Sequence, residues 1–197
     1  MRVVGIDLAG SEKRETGFCV LDGMDASTSI VHTDKEIIDR IEEVKPDLIA
    51  VDAPLSLPEG RKSIEERTGI HLRECDKELL RRGIKFFPVT LGPMRRLTER
   101  GIRLKKILEK SGLKVIEVYP GGAQDVLKIP RKQRGLDKLR NGLEKLNING
   151  LTLRMNGHEL DAVTSAFVGK LLLEGRSERL GDTKSGIVMP KLYLAEA

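Results

Sequence analysis

Val3-Val4-Gly5-Ile6-Asp7 and Leu48-Ile49-Ala50-Val51-Asp52 decide how this chain folds. Each is a short apolar run rich in β-branched residues, as expected of a strand buried on both faces, and each ends in aspartate. Between them, Thr16 to Leu21, an Asp22-Gly23 turn signal and Ser27 to Val31 read as an antiparallel hairpin that extends the first strand. Thr33-Asp34-Lys35-Glu36 has the form of a helix capping box, and Ile37, Ile38, Ile41 and Val44 recur on one helical face until Pro46. A strand, helix and strand in succession cross over right-handedly within one sheet, so the Leu48 run should lie parallel to the first strand. The order to this point is β-β-β-α-β.

Ala53 to Gly60 is a Pro/Gly-rich loop, and a basic, mostly helical insertion follows it. Leu72, Cys75, Leu79 and Leu80 share a helical face; Met94, Leu97, Leu104 and Leu108 predict a second helix, interrupted near Gly101. Lys114 to Val118 reads as a strand. Leu136, Leu139, Leu143 and Leu146 mark an amphipathic helix, and Leu160, Val163, Phe167 and Leu171 a long one. Ile187 to Leu194 reads as a terminal strand that Pro190 confines to a sheet edge. Residues 1–197 are therefore expected to form a single α/β domain with a mixed sheet and flanking helices.

Hydrophobic residues at 39% beside charged residues at 33% exclude a disordered or a membrane-embedded chain. No apolar run is long enough to cross a bilayer, and Asp7 cuts the first one too early for a signal peptide, so the expectation is a cytoplasmic protein with no membrane partner. Cys19 and Cys75 have neither CxxC spacing nor a His cluster, and read as buried free thiols.

In an open sheet, ligands gather at the carboxyl ends of parallel strands, where Asp7 and Asp52 fall. Neighbouring strands would bring these carboxylates within about 5 Å. Two anions that close repel unless a divalent cation lies between them, and Mg²⁺ accepts one or two carboxylates while keeping waters or phosphate oxygens. The competing reading is that each Asp only opens a turn.

Asn156-Gly157-His158-Glu159-Leu160-Asp161-Ala162 supplies a third acid. Asn156 and Glu159 are spaced as N-cap and N3, which makes Glu159 a capping carboxylate. Asp161 lies a turn into the helix among small residues, with His158 one turn before it on the same face. Glu117 ranks fourth, since strand alternation could turn it to solvent or to an arginine instead.

The net charge of +5 is concentrated in the middle of the chain, where Arg95, Arg96, Arg103 and Lys106, then Arg131 and Lys132, are candidates for neutralising nucleic-acid phosphates. A solvated helix face is the competing reading. Trp is absent and other aromatics are few, which argues against base stacking as the main grip.

Gly5-Ile6-Asp7-Leu8-Ala9-Gly10, Val51-Asp52-Ala53-Pro54-Leu55 and His158-x-x-Asp161-Ala162 together resemble the ribonuclease H-like superfamily, the last motif being similar to that of the Holliday-junction resolvases. Over nearly the whole chain, Arg73-Glu74-Cys75-Asp76, Glu117-Val118-Tyr119-Pro120 and His158-Glu159-Leu160-Asp161-Ala162 resemble domain of unknown function 429, a family of predicted ribonuclease H-like nucleases. The resemblance implies a βββαβ core with helices inserted before a further strand, and carries catalysis onto Asp7, Asp52 and Asp161; Arg73 and Asp76 match a motif of unassigned role. The leading expectation is a Mg²⁺- or Mn²⁺-dependent phosphodiesterase acting on DNA or RNA by a two-metal mechanism, with Asp7, Asp52, Asp161 and Glu117 as ligands and His158 beside them. The alternative is a non-catalytic nucleic-acid or protein-binding module on the same fold. A third reading, the phosphate loop of an actin-like ATPase or sugar kinase at Asp7 to Gly10, needs two such halves where this chain has room for one.

Overall fold

The computed structural model describes residues 1–183 and 185–191. Strands β1 (Arg2–Asp7), β2 (Thr16–Asp22) and β3 (Asp25–Val31) form the antiparallel meander, helix α1 (Asp34–Val44) crosses over, and β4 (Leu48–Asp52) returns parallel to β1. Strands β5 (Val115–Val118), β6 (Ser177–Leu180) and β7 (Ile187–Pro190) complete one seven-stranded sheet in the order β3-β2-β1-β4-β5-β7-β6. This is the expected ribonuclease H-like mixed sheet with its β-β-β-α-β core. Helix α1 begins with the capping box read from the sequence: Thr33 Oγ1 accepts from Glu36 N, and Glu36 Oε2 accepts from Thr33 N.

Strand alternation divides the core. Val3, Leu48 and Ala50 face α6 (Gly157–Leu173), whereas Val4, Ile6, Ile49 and Val51 face α1 and α3 (Met94–Lys110). Counting by twos, Asp7 and Asp52 turn to the α6 side. That helix lies unusually close to the sheet. A Cβ on Gly5 would come within 2.1 Å of the Ala162 carbonyl oxygen, and one on Gly17 within 2.0 Å of that of His158. No side chain fits at either position, and this close approach carries the first turns of α6 to the end of β1. Helices α4 (Pro120–Val126) and α5 (Leu136–Glu144) cover the outer side of α6, which explains why it is apolar nearly all round.

Three local expectations are corrected. Helix α3 runs unbroken through Gly101, because that glycine is a contact and not a break: a Cβ there would lie 2.7 Å from the Pro54 carbonyl oxygen. Strand β7 lies between β5 and β6, not at the edge. It tolerates Pro190 because β5 pairs only as far as Val188, leaving no β5 carbonyl that needs a proline N–H. Its proposed continuation to Leu194 falls outside the described residues. Leu80, placed on the apolar face of α2 (Glu74–Arg81), is 55% exposed; Cys75 and Leu79 are the buried pair. Both cysteines are free and buried, as expected. Helix α4 and strand β6, short elements, were not anticipated. No helix among the described residues is long and apolar enough to cross a membrane.

Candidate functional site

Asp7 and Asp52 are Cα register partners on β1 and β4, and both point to the α6 side. Asp161 descends onto them from the second turn of α6. Its Oδ1 accepts a 2.8 Å hydrogen bond from Nε2 of Gln124, a buried residue on α4. Its Oδ2 meets Lys132 Nζ at 2.7 Å, and the same ammonium lies 3.6 Å from Asp7 Oδ2. Asp7 Oδ2 also accepts from His158 Nδ1 at 2.8 Å; a carboxylate has no proton to give, so the imidazole is the donor. Asp52 makes no hydrogen bond or ion pair to any described side chain. Direct contacts therefore join Asp7 to His158 and, through Lys132, to Asp161, while Asp52 stands beside Asp7 in strand register.

The electrostatics follow from that crowding. Burial, then the charges of Asp7 and Asp161, hold the Asp52 carboxyl well above the ordinary Asp range. Burial also raises Asp161, and the nearby Lys132 ammonium does not offset it. Burial alone would lower Lys132, but Asp161 and Asp7 outweigh it and raise it. The hydrogen bond to Asp7 raises His158, so that the imidazolium persists to higher pH than a free one.

Glu117 is not brought into this group. It is the register partner of Val51 and so turns to the opposite face of the sheet from Asp52. There its Oε1 and Oε2 accept from the Arg73 guanidinium at 2.7 Å each, and Oε2 also accepts from Leu55 N at 2.7 Å. Asp76 holds the remaining edge of Arg73, at 2.9 and 3.1 Å. The two residues of unassigned role, Arg73 and Asp76, are therefore a buried brace between the start of α2, β5 and the loop after β4.

The six basic candidates separate. Arg95 pairs with Glu65, Arg103 with Asp34, and Arg131 with Asp125, while Lys132 belongs to the carboxylate centre. Arg96 and Lys106 are exposed and make no ion pair to a described residue. Arg100, in the same run, is a buried strut: it donates to Asp34, to the Ala9 carbonyl and to that of His32, and so fixes the loop leaving Asp7. That loop and the start of α3 enclose a cleft of about 990 Å³ with His158 in its wall and Lys13, Arg14 and Arg96 among its lining. Lys13 and Arg14 were missed because two basic residues in an exposed loop carry no periodic signal. Gln124 was missed because an isolated glutamine gives no sign that it is buried.

Aromatic residues are scarce, and three of them share one cavity. Phe86, Phe87 and Tyr119 line a second cavity, of about 200 Å³, together with Asp52, Arg73 and Glu117.

The donor set suits a hard cation: Asp7 and Asp161 each turn an oxygen towards the Lys132 ammonium, and Asp52 has lone pairs that no described residue engages. It does not make a closed protein cage, since among the described residues no three His, Cys, Asp or Glu side chains converge to hold an ion. What fits is Mg²⁺ or Mn²⁺ held by one or two carboxylates, with other positions left to water or a phosphate. In the present arrangement the Lys132 ammonium is the cation at that point.

A family model described as "Protein of unknown function (DUF429)" matches residues 5–185. Among curated proteins none matches the sequence. Two similar solved structures are both of Thermus thermophilus RuvC. One, of the protein alone, is 13% identical, with a TM-score of 0.49, and the match covers 96% of this chain and 100% of that one. The other, RuvC in complex with a Holliday junction substrate, is 14% identical with a TM-score of 0.50, covering 96% and 99%. At that identity the likeness is one of fold.

Proposed function

The chain belongs to the DUF429 family, and from its site we propose a metal-dependent nuclease that hydrolyses phosphodiester bonds in DNA or RNA. One observation carries the proposal: two carboxylates stand in register at the ends of adjacent parallel strands, with a third lowered onto them by a helix that glycines allow to approach. One or two of Asp7, Asp52 and Asp161 would hold Mg²⁺ or Mn²⁺, which when bound supplies Lewis acidity towards a phosphoryl oxygen and activation of water. His158 holds its Nδ1 proton towards Asp7 and stands in the cleft wall, where the proton on Nε2 of the imidazolium would be the one given to a leaving oxygen. Lys13, Arg14 and Arg96 line the same cleft and would position a phosphate backbone without reading its sequence.

The RuvC neighbour was solved with a Holliday junction, which makes branched DNA the first substrate to try, beside single-stranded DNA and RNA. The purified protein with Mn²⁺ should cut at least one of these, and Asp52→Asn should not. No cleavage of any of them, with binding intact, would leave the second reading, a non-catalytic nucleic-acid-binding module. That alternative is favoured by the Lys132 ammonium, which braces Asp161 and Asp7 without a metal.

A further inference from the structure

We propose that Lys132 is a built-in competitor of the divalent cation: its ammonium braces the carboxylates in the metal-free protein and must leave before an ion can bind. The inference rests on the metal reading above and adds to it a residue that sets how readily the site loads.

The argument is one of space and charge. The ammonium sits 2.7 Å from Asp161 Oδ2 and 3.6 Å from Asp7 Oδ2, so it stands where an ion shared by those two carboxylates would have to be. Mg²⁺ binds carboxylate oxygen at about 2.0–2.1 Å, so an ion on Asp161 Oδ2 would stand within about 4 Å of the ammonium on the same oxygen, and two cations that close repel. The ammonium meets Asp161 and Asp7 but makes no hydrogen bond or ion pair with Asp52; the brace is therefore a partial one, which a divalent ion can outcompete. Gln124 stays on Asp161 Oδ1 and keeps that side chain aimed when Lys132 departs.

Departure is sterically open. Lys132 opens a single 3-10 turn, Lys132–Arg134, and its side chain is 31% exposed. Its aliphatic stem runs beside Gly157, where a Cβ would lie 3.1 Å from Lys132 Cδ, so the absence of a side chain there leaves the stem its track. A lysine head on a flexible four-carbon stem can swing from the carboxylates towards solvent. Once out, it adds its charge to the mouth of the site.

The test is calorimetric titration of Mn²⁺ and Mg²⁺ into chelator-stripped protein, comparing the parent with Lys132→Met, which keeps the stem and removes the charge. Lys132→Gln serves as a second variant should the first fail to fold. Either variant should bind the ion about tenfold more tightly, the size of one charge-assisted contact that need not be broken. In the parent, Lys132 should be shielded from an amine-acylating reagent without metal and be labelled faster when Mn²⁺ is saturating, as read by peptide mass spectrometry. Equal or weaker binding in both variants, or labelling that Mn²⁺ leaves unchanged, would overturn the competitor role while the metal reading stands. No binding of either ion to parent or variants would overturn the metal reading and the competitor role with it.

Discussion

Asp52 and Asp7 face the same helix from adjacent parallel strands, yet they are held differently: Asp7 is paired with His158 and Lys132, and Asp52 has no hydrogen bond or ion pair to a described side chain. Neutralising them should therefore have opposite effects on stability without metal. The Asp52 carboxyl is raised by burial and by its acidic neighbours, so above the unfolded value of about 3.9 the folded state resists its ionisation and loses stability as pH rises towards the folded value. Asp52→Asn removes that cost, and in EDTA near neutral pH should melt higher, by about 2–4 °C for each 1 kcal/mol relieved. Asp7→Asn weakens two favourable contacts and should melt lower. Both should lose Mn²⁺-dependent cleavage. Calorimetric melts in EDTA that move both variants in the same direction would contradict this division.

Glu117 gives a prediction of the opposite kind. Its carboxylate, Arg73 and Asp76 are all buried, and truncating one partner of a buried pair typically costs about 3–5 kcal/mol. Glu117→Gln should lose a large part of that, because one charge-assisted bond to Arg73 becomes a neutral one, while Mn²⁺ affinity stays within about twofold of the parent. A joint replacement, Arg73→Met with Glu117→Leu, removes the isolated charge and should recover stability relative to Arg73→Met alone. Urea melts beside metal titrations check both parts. A stable Glu117→Gln protein with much weaker Mn²⁺ binding would return Glu117 to the ligand set.

Acid stability should depend on Asp34. Burial alone would raise its carboxyl, but hydrogen bonds and charge from Arg100 and Arg103 outweigh that and hold it below the ordinary Asp range. A depressed folded pKa means the stabilisation is fully present above the unfolded value of about 3.9, and is lost as pH falls through the folded value. Asp34→Asn should therefore melt below the parent at neutral pH, with the gap narrowing steadily below about pH 4. A gap that stays constant down to about pH 3 would mean the ion pairs do not contribute in this way. Since Arg100 also holds the Ala9 carbonyl, the variant should loosen the loop after Asp7, visible as faster amide exchange there.

Which parts of this were legible in the sequence follows from how local each signal is. Asp7, Asp52 and Asp161 could be found because each stands at a defined place on a periodic element, and their meeting follows from right-handed crossover. The same alternation, applied to β5, turns Glu117 away: Ile116 and Val118 pack on the α6 side, so the residue between them faces the other way. That inference needs the register with β4, which pairing across more than sixty intervening residues decides and no local pattern records. Arg103, Arg95 and Arg131 looked free for the same reason, their acidic partners lying far off in the chain or across a turn. Gly101 looked like a helix break because composition alone cannot separate a flexible glycine from one pressed against a carbonyl.

The last prediction separates two acids two residues apart. Glu159 completes a capping box on α6: its Oε2 accepts from Asn156 N at 2.9 Å, while Asn156 Oδ1 accepts from the backbone N–H of His158 and of Glu159. Its Oε1 accepts from the Thr28 hydroxyl at 2.7 Å, so the cap also ties the helix to β3. Glu159→Gln keeps the shape but trades one acceptor for a donor; Thr28 can reverse its hydroxyl to suit, and the cost should be about 1 kcal/mol. Cleavage should be nearly unaffected, because neither oxygen faces the metal-binding group. Asp161 is two residues further along and on another side of the helix, and Asp161→Asn converts the main anchor of Lys132 and a proposed metal ligand into a neutral amide. Metal affinity and turnover should fall together, and the shift in melting temperature that saturating Mn²⁺ gives the parent should shrink or vanish. Melts with EDTA and with Mn²⁺, run beside a cleavage assay, read both variants at once. Loss of activity in Glu159→Gln, with Asp161→Asn keeping both its activity and its Mn²⁺-induced shift, would mean that the acid serving the reaction on α6 is Glu159.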